Sequence, residues 1–131
     1  MKLYEIERIY NTIMIMLSPQ ASKVLPRSMA FVLIHNCRKL EPTIEELRTA
    51  RKNLLEICME RDESGNPIRS GGGYIIDKSK EAEFEMENNT LMDTEIDVQF
   101  DKIDMKDIEL CGTGKYDPLN MAELSVIDYM L

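Results

Sequence analysis

The single histidine, His35, stands two residues before Cys37. On a regular helix that spacing turns the two side chains about 200° apart, so they do not form a paired metal motif. His35 reads as a packed or surface residue. The three cysteines, Cys37, Cys58 and Cys111, show no CxxC spacing. Their odd number does not suggest a disulfide framework. They fit small buried hydrophobes in a reducing compartment better than zinc ligands. Asp62, Ser64 and Asn66 place oxygen donors like the opening of a calcium loop. Pro67 then stands where the sharp turn needs glycine, and no glutamate follows at the twelfth place. A hairpin turn is the better account.

The run RSGGGY over residues 69–74 invites an anion-binding reading, because backbone amides of glycine-rich turns bind anions. It lacks the GxxxxGK[ST] pattern of a phosphate loop. The run reads instead as a mobile tip joining two strands. Any ligand held there would be recognised by Arg69, Gly71, Gly72, Gly73 and Tyr74. Glu81, Glu83, Glu85 and Glu87 open a dense acidic stretch. Carboxylates do acid–base work when one is buried and its pKa is raised, and nothing in the pattern marks one as buried. A solvated face is the expectation, with mimicry of nucleic acid toward a basic partner as a second role. No nucleophile–base pair stands out.

The elements that would position these residues are mainly helical. Ile6, Ile9, Ile13 and Met16 recur at helical spacing and predict a helix over 4–17, although Lys2 to Ile6 could open as a strand. Residues 18–26 read as a loop. Ala30, Leu33, Cys37, Leu40, Ile44, Leu47, Arg51, Leu54 and Cys58 alternate by three and four, a heptad seam with Arg51 as its odd member. They predict a long helix over 27–61, kinked or broken near Pro42. A turn and β-hairpin tip follow over 62–76, then a polar helix over 79–93 folding back on the long one. Ile96, Val98 and Phe100 alternate with acidic or polar residues and predict a half-buried strand over 95–103. A final helix spans 118–131, with Asp117 and Pro118 at its start. Together these predict one domain of the α+β class: a coiled-coil-like helical hairpin with a β-hairpin tip and a small antiparallel sheet.

The chain has 131 residues, of which 44% are hydrophobic and 31% charged, a globular composition. Its formal charge of −8 argues against a nucleic-acid-binding domain. Residues 1–61 hold ten Lys/Arg against seven Asp/Glu, a net of +3, and residues 62–131 hold six against seventeen, a net of −11. Such asymmetry suggests contact between halves or with a charged partner. The start MKLYEIERIYNTIMIML carries Glu5, Glu7 and Arg8, unlike a signal peptide. No apolar run approaches the ~20 residues of a membrane span.

The segments AFVLIHNCRKLEP (30–42), ERDESGNPI (60–68), LMDTEIDVQFDKI (91–103) and ELSVIDYML (123–131) together resemble a family of small uncharacterised proteins of bacteriophages and prophages. Leu25, Pro26, Ala30, Phe31, Asn36, Leu40, Glu41 and Pro42 match its AFxIxxNxxxLEP-like helix. Asp62, Glu63, Gly65 and Pro67 match its DExGxP turn. The match departs mainly at RSGGG. The resemblance implies a phage setting, in the host cytoplasm or the virion, and assigns no catalytic residue.

Two functions compete. One is a non-enzymatic accessory protein that binds another protein, either a phage structural protein or a host protein. A free seam of Leu33, Leu40, Leu47 and Leu54 would then serve as interface and favour a homo-oligomer. The other is a small-molecule or nucleotide sponge using the glycine tip. Neither implies a cofactor, a metal, a nucleic acid or a membrane.

Overall fold

The structure is a computed structural model and describes residues 1–21 and 23–131. Ser22, within the expected loop over 18–26, lies outside the described residues. Helix α1 covers Leu3–Met16 and buries Leu3, Ile6, Ile9, Tyr10, Ile13 and Met16 along one stripe. Helix α2 covers Arg27–Cys58, about 48 Å at the α-helical rise. A two-residue pair of strands follows, β1 (Arg69–Ser70) and β2 (Gly73–Tyr74). A single 3-10 turn then leads into α3 (Glu81–Met92). Short helices α4 (Met105–Leu110) and α5 (Met121–Ile127), with a closing 3-10 turn at Asp128–Met130, complete the chain. The architecture is mainly helical with one small antiparallel sheet.

The long helix runs through Pro42 without splitting. Pro42 is exposed, so the carbonyl it cannot satisfy faces water. The apolar residues flanking it, Leu40 and Ile44, are buried. Burial on both sides offsets the roughly 3 kcal/mol that an interior proline costs. The helix stops at Cys58, three residues short of the expected 61. Met59 turns to extended geometry and bridges Ile76.

The heptad seam is filled from within the chain. Leu33, Cys37, Leu40 and Ile44 share one core cluster with α1's Ile6, Ile9 and Ile13 and with Ile103, Val126, Ile127 and Met130. Leu47 is buried and Leu54 half-buried. This corrects the expectation of a free seam: α1 and the C-terminal elements cover it, so Leu33, Leu40 and Leu47 are core residues and offer no surface to a second chain. Arg51, the odd seam member, makes a two-pronged ion pair with Glu7 of α1 and reaches Met92 Sδ of α3 at 3.1 Å.

Residues 95–103 are not a strand of a sheet. The segment is extended and its backbone is tied point by point. Lys2 and Glu95 form an isolated bridge. Leu3 N–H donates to the Thr94 carbonyl at 3.0 Å, and Ile103 N–H to the Met130 carbonyl at 2.8 Å. Ile96, Val98 and Phe100 still face the core. The alternation therefore reports an extended chain with one dry side, and its neighbour is a helix rather than a strand. The last helix also starts later than expected. Asn120 caps it, exchanging bonds with Glu123 in a capping box. Asp117, the expected cap, instead clasps Val24: its carboxylate accepts the Val24 N–H at 2.6 Å, and its own N–H donates to the Val24 carbonyl at 2.9 Å.

Candidate functional site

The tip is a tight hairpin. Arg69 pairs with Tyr74 and Ser70 with Gly73 across it. Gly71 and Gly72 form the two-residue turn with φ of +61° and +87°, both in the left-handed region that such turns require. The guanidinium of Arg69 stacks 4.7 Å from the Tyr74 ring centre and donates to its hydroxyl at 2.6 Å. The glycines thus have a conformational task, and the expected recognition residues hold each other. Asp62 likewise turns its carboxylate inward. One oxygen accepts the amides of Ser64 and Asn66, each at 2.9 Å, which closes the turn.

His35 lies on the exposed side of α2 and touches Asp101 through Nδ1. Lys39 Nζ donates to the other Asp101 oxygen at 2.8 Å and to the Gln99 carbonyl at 3.2 Å. Hydrogen bonds from Lys39 and His35 hold the Asp101 carboxyl below its ordinary range, Lys39 contributing more than His35. Beneath them the buried Asn36 amide makes two bonds to the backbone of residue 101, donating to its carbonyl at 3.0 Å and accepting its N–H at 2.8 Å. Among the described residues no hydroxyl or thiol hydrogen-bonds to His35. The cluster works as a tether fastening the extended segment to α2.

All three cysteines are free. Burial pushes the Cys37 thiol up to about 11 and raises Cys58 and Cys111. Cys111 Sγ contacts Met29 Sδ at 3.7 Å. Among the described residues no group of three or more His, Cys, Asp or Glu side chains is placed to hold a metal ion. Nor is any helix among them long and apolar enough to cross a membrane.

The feature with the form of a binding site lies elsewhere, where α4, α5 and the closing 3-10 turn meet. A groove of about 570 Å³ opens there, lined by Met105 and Ile108 of α4, Met121 and Leu124 of α5, and Tyr129 and Leu131 beyond it. Ile127, almost fully buried, also lines it. Met121 is 81% exposed and Met105 53%, and Leu124, Tyr129 and Leu131 are exposed too. Methionine suits a surface that must adapt to what it meets, since its side chain is unbranched and polarisable. Contiguous exposed apolar side chains of this kind mark contact sites.

A polar rim fixes the groove to α1. Arg8 donates to Ser125 Oγ at 3.1 Å and to the Tyr129 hydroxyl at 3.4 Å, and that hydroxyl donates to Glu5 at 3.1 Å. At the other end of α5, the buried Glu123 accepts from Asn120 N–H at 2.9 Å and pairs with Lys23. Both ends of α5 are therefore held before anything docks. Sequence reasoning missed this site because α4 was not anticipated. Its signal was present in Asp104, whose carboxylate accepts the Lys106 N–H and caps the helix. No protein-family model, curated protein or solved structure matches this chain, so the site rests on its own geometry.

Proposed function

We propose that this chain is a non-enzymatic, phage-encoded accessory protein that binds another protein through the α4/α5 groove. The observation that carries this reading is the groove itself: a preformed concave surface of exposed methionine and leucine side chains, braced by Arg8, Glu5 and Tyr129. Its apolar walls supply affinity and its polar rim supplies orientation. The resemblance to phage proteins supplies the setting, in the host cytoplasm or the virion. A sponge acting through the tip has less support, because Arg69 is already held on Tyr74.

The test is co-purification from infected cells of the wild-type chain beside Leu124→Asp, a change on an exposed position. A protein present in stoichiometric amount with the wild type and lost with Leu124→Asp supports the reading. If it is a virion component, the role is assembly, and if a host protein, inhibition. An identical set of proteins from both baits contradicts the groove as the site.

A further inference from the structure

Two further surfaces lack partners among the described residues, and each has what the other needs. On α2, Arg27, Phe31, Ile34 and Arg38 fall within an arc of about 60° at 100° per residue. All four are exposed, and Phe31 is 70% exposed, an unusual position for a phenylalanine. Its ring stacks on His35, with centroids 6.3 Å apart and planes 20° from parallel, which holds it outward beside the helix. Neither Arg27 nor Arg38 makes an ion pair among the described residues.

On α3, a shallow depression of about 400 Å³ is lined by Ala82, Glu85, Met86, Asn89, Thr90 and Asp93. Met86 is 61% exposed at its centre. Glu81, Glu83, Glu85 and Glu87 are without ion-pair partners among the described residues, and Asp93 has only Lys2 at 3.6 Å.

We propose that the Arg27–Phe31–Ile34–Arg38 strip docks head to tail on the α3 face of a second copy of this chain. The two surfaces match in length. Arg27 to Arg38 and Ala82 to Asp93 each cover twelve residues, eleven helical steps or roughly 16 Å. They match in chemistry as well: Phe31 and Ile34, between the two arginines, cover Met86, an aromatic–thioether contact at the centre. The arginines at the ends reach Glu85 and Asp93. They match in sign, a basic strip in a half of net +3 against a face in a half of net −11. The contact is heterologous, so it joins different patches on the two copies and can propagate. This inference does not depend on the α4/α5 groove.

Sedimentation of the full chain over a range of concentrations, in low and high salt, tests it. The expected result is association that strengthens with concentration and weakens in high salt, since the charge pairs are exposed. Phe31→Ala should weaken it about tenfold, as loss of a central aromatic anchor does. Arg38→Glu and Glu85→Arg should each be monomeric alone. Their equimolar mixture should associate again, because one copy keeps an intact strip and the other an intact α3 face. These sites are exposed, and circular dichroism verifies that each variant keeps its helix content. A wild type that stays monomeric at low salt overturns the proposal, including one that instead binds polyglutamate or single-stranded oligonucleotide. So does a mixture that stays monomeric.

Discussion

Asn36 shows how one side chain can stand in for a strand. It is buried in a helix otherwise apolar on that side, and its amide supplies the donor and the acceptor that a neighbouring strand would have offered residue 101. Asn36→Ala leaves two backbone groups with reduced hydrogen bonding and should cost about 2 kcal/mol, read as a lower urea midpoint. Asp101, just above, has its folded carboxyl lowered by Lys39 and His35. A lowered folded pKa contributes stability that is present above the unfolded value, near 4, and is lost as pH falls through the folded value. Wild type should therefore lose more stability than Asp101→Asn as pH drops from 5 toward 2. Equal losses in urea melts would show that the pairing does not act on folding. The cysteines give a third check. With its thiol raised to about 11 and buried, Cys37 should be unreactive toward a thiol reagent in the folded protein, as should Cys58. Cys111, only partly buried, should label first, as mass spectrometry of the labelled chain would reveal.

At the scale of elements, the long helix carries its own defect. Pro42 sits at an exposed position inside it. Pro42→Ala restores one backbone donor and removes the ring clash, so the melting temperature should rise, by an amount equivalent to at most about 3 kcal/mol. A fall would mean that α1 packs against a bend the alanine helix lacks. The same helix shows what was legible in the sequence. Periodicity located α1 and α2 to within a few residues, because each spacing records a buried face, whereas α3 buries no residue and was legible from the capping residue Asp77 before it. It could not say what covers that face. The seam of α2 looked open only because its cover comes from α1 and from Ile103, Val126, Ile127 and Met130, far along the chain. The alternation of Ile96, Val98 and Phe100 recorded which side is dry and was silent on the neighbour, which proved to be a helix offering Asn36 and Lys39. Asp117 looked like a cap because caps and loop clasps draw on the same side chains. The glycine tip was legible as a hairpin, and the pairing of Arg69 with Tyr74 across it was not. The groove stayed hidden because six residues of α4 are too few to show a period.

For the whole molecule, three tethers hold dissimilar parts around one core: Arg51 with Glu7, Asn36 with residue 101, and Lys23 with Glu123. The third of these, with Arg8 and Tyr129, braces the end of the molecule where α4 and α5 leave methionine and leucine side chains in solvent. Charge is arranged in patches rather than mixed, so contacts through these patches should weaken with salt, whereas binding in the apolar groove should persist. Calorimetric titration of the captured partner should accordingly show a negative heat-capacity change and little loss of affinity between low and high salt. The most direct measurement of the central claim is a photocrosslinking side chain installed at Met121 and, as a control, at Lys52, an exposed position on α2. Illumination during infection should join a single partner protein to position 121 and not to position 52. Crosslinks that appear equally at both positions, or none at position 121 while a partner co-purifies, would contradict the groove as the site of binding.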